Sequence, residues 1–269
     1  MESIYLMKNI CSKVKVSWFL ILIIFLSFIS GLFKDVLVLF LIIIIHEIGH
    51  VITSLIFGWK IKKIDITICG GFITYDEEID KPFIEEFLIS ISGFLFQGIL
   101  YLILSILMRN GIITDKLYFL FEKYNLSIFL FNIIPIYPLD GSKVLLIIFN
   151  LFLPYKKSLK LISLTSFIAL IFIVIYVLLH GIKLEYSYIM IISFIISKLI
   201  NLIKDIPYLF NRLLFERYKK PIITNKRNYI KNGLLLNFKR QKKNYFLIND
   251  KYYDESYILK EKFDLKNNM

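Results

Sequence analysis

Two cysteines, Cys11 and Cys69, are all that the chain contains, and they have no metal-type spacing, so no disulfide framework is expected. Charge is also scarce, at 20% of 269 residues, and acidic groups are fewer than basic ones, 21 against 33. A soluble domain is rarely this apolar: 57% of the residues are hydrophobic, 16% are aromatic, and the mean hydropathy is +0.68. With several long apolar runs, that composition reads as a multi-span membrane protein. No A-x-A-like site follows the first run, which argues for a retained helix rather than a signal peptide. No internal repeat is visible, and no nucleic-acid recognition motif.

The basic residues order the spans. Lys8, Lys13 and Lys15 precede the run Val16 to Phe33, which starts it from the cytoplasm. Lys34 and Asp35 then read as a short turn, Val36 to Phe57 as the return span, and Lys60, Lys62 and Lys63 as its inner flank. Phe83 or Phe87 to Met108 reads as a third span with Arg109 to Lys116 outside, and Leu117 to Leu153 contains a broken fourth. Lys156, Lys157 and Lys160 lie inside before Leu161 to Leu179, and His180, Lys183 and Glu185 lie outside before Tyr186 to Ile203. Six spans leave both termini cytoplasmic. The expected fold is therefore an all-α polytopic membrane domain over 1–203, with a core at about 36–153 and a short membrane-associated β-hairpin. A basic cytoplasmic tail follows over 204–269, where 16 Lys or Arg face seven Asp or Glu; anionic lipid, not nucleic acid, is its expected neighbour.

Histidine is rare, with three in the chain, yet two stand in the run Ile42 to His50, I-I-I-I-H-E-I-G-H. Hydrocarbon disfavours ionisable groups, so intramembrane His and Glu mark a functional site. Four residues apart on a helix, His46 and His50 project from one face and can reach one ion. Glu47 sits about 100° round and can reach water at that site. This is the H-E-x-x-H arrangement, with Glu47 as general base and the metal as Lewis acid. The bland alternatives are two His that bond neighbouring helices, or a metal site without chemistry.

Further along, Ile64 to Tyr75 alternates in part around Gly70-Gly71 and reads as a β-hairpin, equally an ordinary surface hairpin or one beside the site whose edge could pair with an extended substrate. Asp76, Glu77, Glu78, Asp80, Glu85 and Glu86 read as a solvated acidic face. Two Pro and a Gly break the helix between Asn132 and Gly141, and an unwound segment at membrane depth is expected only beside a cavity. That break carries Asp140. A catalytic zinc takes three protein ligands, so Asp140 is the favoured third ligand, against the alternative of a helix cap near Gly141. His180 reads as an interfacial residue without a metal role.

Three pieces in order, His46-Glu47-Ile48-Gly49-His50, Gly70-Gly71 and Asn132-x-x-Pro135-x-x-Pro138-Leu139-Asp140-Gly141, resemble the site-2 protease family of intramembrane zinc metalloproteases. Six spans and a short tail look most like its stage IV sporulation branch, which cleaves the membrane-associated prosequence of a sporulation sigma factor. The resemblance implies one zinc ion per chain on His46, His50 and Asp140, water activation by Glu47, and a substrate-facing Asn132. It implies a membrane-tethered substrate within the lipid bilayer, and membrane inhibitor or activator proteins as partners. Phe94 and Gln97 stand where the family often has Pro and Asn, so a polar role for that helix is not carried over. The tail is shorter than the nucleotide-sensing CBS domain of many relatives, so ATP regulation is not carried over either. Two rival functions remain: a six-span metal or ion transporter, and a catalytically silent membrane scaffold.

Overall fold

A computed structural model describes residues 13–67, 70–76, 79–180, 186–231 and 235–264. Lys8, Cys11, Cys69, Glu77, Glu78, Lys183 and Glu185, each used in the sequence reading, lie outside them. The chain divides into two compact units, Met1–Glu77 with Phe87–Ile133, and Glu78–Glu86 with Ile134–Met269.

The first unit opens with strand β1 (Val14–Val16), where the sequence suggested a basic flank and the start of a span. Helix α1 (Trp18–Ile29) follows and ends at a turn in which Gly31 takes φ +74°. Helix α2 then starts at Phe33, so Lys34 and Asp35 lie in its first turn and are not the connection. The Asp35 carboxylate accepts a hydrogen bond from Tyr124 at 2.8 Å. Along α2 (Phe33–Ile56) the buried positions Val38, Ile42, His46, Gly49, His50 and Ser54 recur at helical spacing. The opposite face is apolar too, with Leu37, Leu41, Ile44, Ile48 and Ile52 exposed. A helix whose exposed face is hydrocarbon is built for lipid, and 24 residues at 1.5 Å each cover about 36 Å, enough to cross a bilayer core.

Strands β2 (Ile61–Thr67) and β3 (Gly70–Tyr75) form the expected antiparallel hairpin, and β1 adds to it in parallel, Val16 beside Ile66. The glycines do not form the turn. In register, Gly70 faces Thr67 and Gly71 faces Ile66, so both open β3 just past it. Helix α3 (Phe83–Arg109), from Phe87 onward, and helix α4 (Asp115–Ile133) complete the unit.

In the second unit α4's break continues as 134–139, and helix α5 (Asp140–Phe152) begins after it. The unwound segment keeps its backbone satisfied: Leu139 N–H donates to Ile136 O, and Tyr137 N–H donates to Ser166 Oγ at 3.0 Å. Ser166 belongs to helix α6 (Tyr155–Leu179). Helix α7 runs unbroken from Tyr186 to Lys219, past the expected tail boundary at Ile203, with Pro207 inside it. Among the described residues, three helices are long and apolar enough to span a membrane, namely α2, α3 and α6. α1 is too short at 12 residues, and α4 carries Asp115, Lys116, Glu122 and Lys123.

The tail folds. Strands β4 (Arg227–Ile230), β5 (Lys243–Ile248) and β6 (Lys251–Asp254) make a sheet, β4 parallel and β6 antiparallel to β5, and helix α8 (Glu255–Asp264) follows. Phe238, Phe246, Leu213, Leu214 and Leu259 are fully buried in one core with Tyr155 and Leu159 of α6. Part of the acidic stretch is drawn in rather than solvated. Asp80 pairs with Arg217, and Glu86 with Arg240; both guanidinium groups are buried. Arg217 also reaches Glu255 at 2.8 Å, and Glu255 accepts from the backbone and side chain of Asn244 at 2.9 Å.

Candidate metal centre

One turn of α2 apart, the His46 and His50 rings lie edge to face with centroids 4.8 Å apart, and their Nε2 atoms are 3.1 Å from each other. Both residues are almost fully buried, at 2% and 4% exposure. Two imidazole nitrogens bound to one tetrahedral zinc at 2.0–2.1 Å would lie about 3.3 Å apart, so the pair already has the spacing of half a zinc site. The tautomer agrees for His50. Its Nδ1 is 2.6 Å from the Ile89 carbonyl, which can only accept, so Nδ1 carries the proton and the neutral ring keeps a lone pair on Nε2. Ser92 Oγ, 3.3 Å from that Nδ1, donates to the same carbonyl. His46 Nδ1 lies 3.0 Å from Gln97 Oε1.

Two glycines allow this approach of α2 and α3. A Cβ on Gly49 would stand 2.7 Å from the Ser92 carbonyl oxygen, and a Cβ on Gly93 would stand 2.4 Å from Cε1 of the His46 ring, too close for contact. Gly93→Ala must therefore displace the imidazole. Its expected effect is zinc affinity lower by about tenfold or more, measured by chelator competition on the purified chain. Wild-type affinity in that variant would mean that the ring has room to spare.

Glu47 points to the hairpin. Its Oε1 accepts from Gly71 N–H at 3.1 Å, and a Cβ at Gly71 would collide with its carboxyl group. The second glycine of the pair thus lets the β3 backbone lie against a carboxylate. Gly70 takes φ +120°, which side-chain-bearing residues rarely adopt. Asn132 sits in the last turn of α4, half-buried, with its Nδ2 donating to Ile128 O at 3.2 Å.

Asp140 belongs to the second unit. It is the first residue of α5 and is buried; Leu139 occupies the N-cap position, without a side-chain cap bond. Lys143 Nζ donates to its Oδ1 at 2.8 Å, from a side chain that is half exposed. His180 is exposed at the end of α6, with Nδ1 3.0 Å from Tyr176 O.

Gln97 and Ser92 are the polar residues that the sequence reading left without a role. The available signal was their cost: a Gln and a Ser buried in an apolar span need partners. Phe94 adds an apolar wall, edge-on to His46 at 5.6 Å and to Phe129 at 5.3 Å.

No family model matches the chain. It is 34% identical over 206 residues to stage IV sporulation protein FB of Bacillus subtilis (strain 168), covering 77% of this chain and 71% of that protein. It is 35% identical over 149 residues to a zinc metalloprotease of Methanocaldococcus jannaschii, covering 53% of this chain and 43% of that one. Among solved structures, the site-2 protease from Methanocaldococcus jannaschii matches with a TM-score of 0.55 and 26% identity, over 70% of this chain and 90% of that chain.

Proposed function

This chain belongs to the site-2 protease family of intramembrane zinc metalloproteases, and we propose that it hydrolyses a peptide bond in or near the membrane segment of a membrane-tethered protein. One observation carries the reading: two buried imidazoles with Nε2 atoms 3.1 Å apart on an apolar helix, with a carboxylate between them in sequence. His46 and His50 would supply the nitrogen ligands and Asp140 the oxygen ligand of one zinc ion. When bound, zinc supplies Lewis acidity, polarising the scissile carbonyl and acidifying water at the site. Glu47 takes a proton from water, the hydroxide oxygen adds to the scissile carbonyl carbon, and Glu47 gives the proton to the nitrogen as the C–N bond breaks.

β3 is an edge strand of its sheet, so an unwound substrate segment can add alongside it near Gly70 and Gly71, where the backbone also meets Glu47. Unwinding is needed because a helical carbonyl is shielded by its own hydrogen bonds. Asn132 orients the substrate. The similarity to stage IV sporulation protein FB supports a sigma-factor precursor as that substrate. The lysine distribution supports six spans, a membrane domain over 1–203, a cytoplasmic tail over 204–269 and both termini inside. Membrane inhibitor or activator proteins are its expected regulatory partners.

The test is cleavage of a tethered prosequence by the full chain in proteoliposomes. Activity should disappear on removing the metal with a chelator and return on adding zinc. Asp140→Asn should hold less than one zinc per chain and lose most activity. Cleavage that survives complete metal removal would overturn the reading.

A further inference from the structure

We propose that Gln97, backed by Asn125, is the positioning residue that fixes His46 in the tautomer a metal can use; this rests on the metalloprotease reading above. Gln97 is 1% exposed in the apolar helix α3, and both ends of its amide are engaged. Its Nε2 donates to Asn125 Oδ1 on α4 at 3.3 Å, which turns Oε1 towards His46 Nδ1 at 3.0 Å. An amide oxygen only accepts, so the proton of the neutral His46 ring must sit on Nδ1. Nε2 then keeps its lone pair, facing His50 Nε2.

The two histidines are held differently. His50 is oriented by the Ile89 backbone carbonyl, which no substitution removes, whereas His46 depends on a side chain. Outer partners of this kind set the direction and basicity of a ligating imidazole.

A plain helix-to-helix hydrogen bond between α2 and α3 is the competing explanation, and it makes a different demand. It needs packing and polarity, whereas positioning needs an acceptor opposite Nδ1. Gln97→Leu removes the acceptor, and the ring can then move its proton to Nε2, where it blocks metal binding. Gln97→Glu keeps the acceptor, and Asn125 can turn its amide to donate to the new carboxylate.

The experiment titrates zinc into the full-length protein in detergent micelles against a competing chelator, with the metal-free thermal midpoint measured alongside. Gln97→Leu is expected to bind zinc about 10–100-fold more weakly than wild type, and Gln97→Glu within about threefold of it. Wild-type affinity in Gln97→Leu would overturn the assignment alone. So would a Gln97→Glu protein as weak as Gln97→Leu, because the loss would then belong to packing. If Gln97→Leu lowers the midpoint as well, the Glu variant decides. A wild-type chain that takes up no zinc would overturn the metalloprotease reading and this assignment with it.

Discussion

Replacing Glu47 by Gln is expected to slow cleavage of a tethered substrate by about 10²–10⁴-fold, the usual contribution of a general acid–base, with zinc content unchanged. The substitution is nearly isosteric. A Gln carbonyl oxygen can still accept from Gly71 N–H, as Glu47 Oε1 does at 3.1 Å, so the contact with β3 survives. What it cannot do is take a proton from water and give it to the leaving nitrogen. His46 and His50 flank position 47 but are held by α3 partners, so the metal ligands should keep their orientation. Initial cleavage rates and zinc per chain, measured on the same preparations, separate the possibilities. Equal cleavage by both proteins would sink the mechanism. Loss of zinc from the variant would assign Glu47 to the architecture of the site.

Arg217→Met is expected to destabilise the second unit by about 3–5 kcal/mol, the usual result of removing one partner from a buried charge network. Arg217 is 3% exposed on α7. Its guanidinium ties three segments: Asp80 before α3, Glu255 at the start of α8, and the Lys242 carbonyl beside β5. It also lies over the Phe238 ring at 5.5 Å. Methionine keeps much of the volume but takes the guanidinium from buried Glu255, while Asp80 keeps Arg240 at 3.7 Å. The pH dependence follows from Glu255, whose carboxyl is pushed above its ordinary value by burial, against the pull of Arg217 and Asn244. Without Arg217 the folded state favours the protonated acid still more. A group whose folded pKa is raised contributes stability at low pH and loses it as pH rises, so the deficit should be larger at pH 8 than at pH 5. Thermal unfolding of the full chain in micelles at both pH values measures this. A deficit that grows towards pH 5 would show that Glu255 is not the group left exposed to the loss.

The parts legible in the sequence are those set within a few residues. The i, i+4 spacing of His46 and His50, the helix break between Asn132 and Asp140, and the hairpin between Ile64 and Tyr75 all appear where local periodicity and proline chemistry put them. Other local features lie a step from where the sequence places them. Gly31, rather than Lys34 and Asp35, makes the turn before α2, and Gly70 and Gly71 open β3, where Gly71 admits the Glu47 carboxyl.

What the sequence by itself determined is a membrane-embedded H-E-x-x-H helix, because an apolar run and a 3.6-residue period follow from side chains alone. The tertiary structure decided the partners: Gln97 for His46 across 51 residues, Ile89 for His50 across 39, and Arg217 for Asp80 across 137. It likewise gave the acidic stretch its buried anchors, Arg217 and Arg240, and β2 its parallel neighbour β1. The physical reason is range. Periodicity and backbone stereochemistry act along the chain, whereas a buried polar group must find its partner wherever packing brings one, and no local signal encodes that meeting.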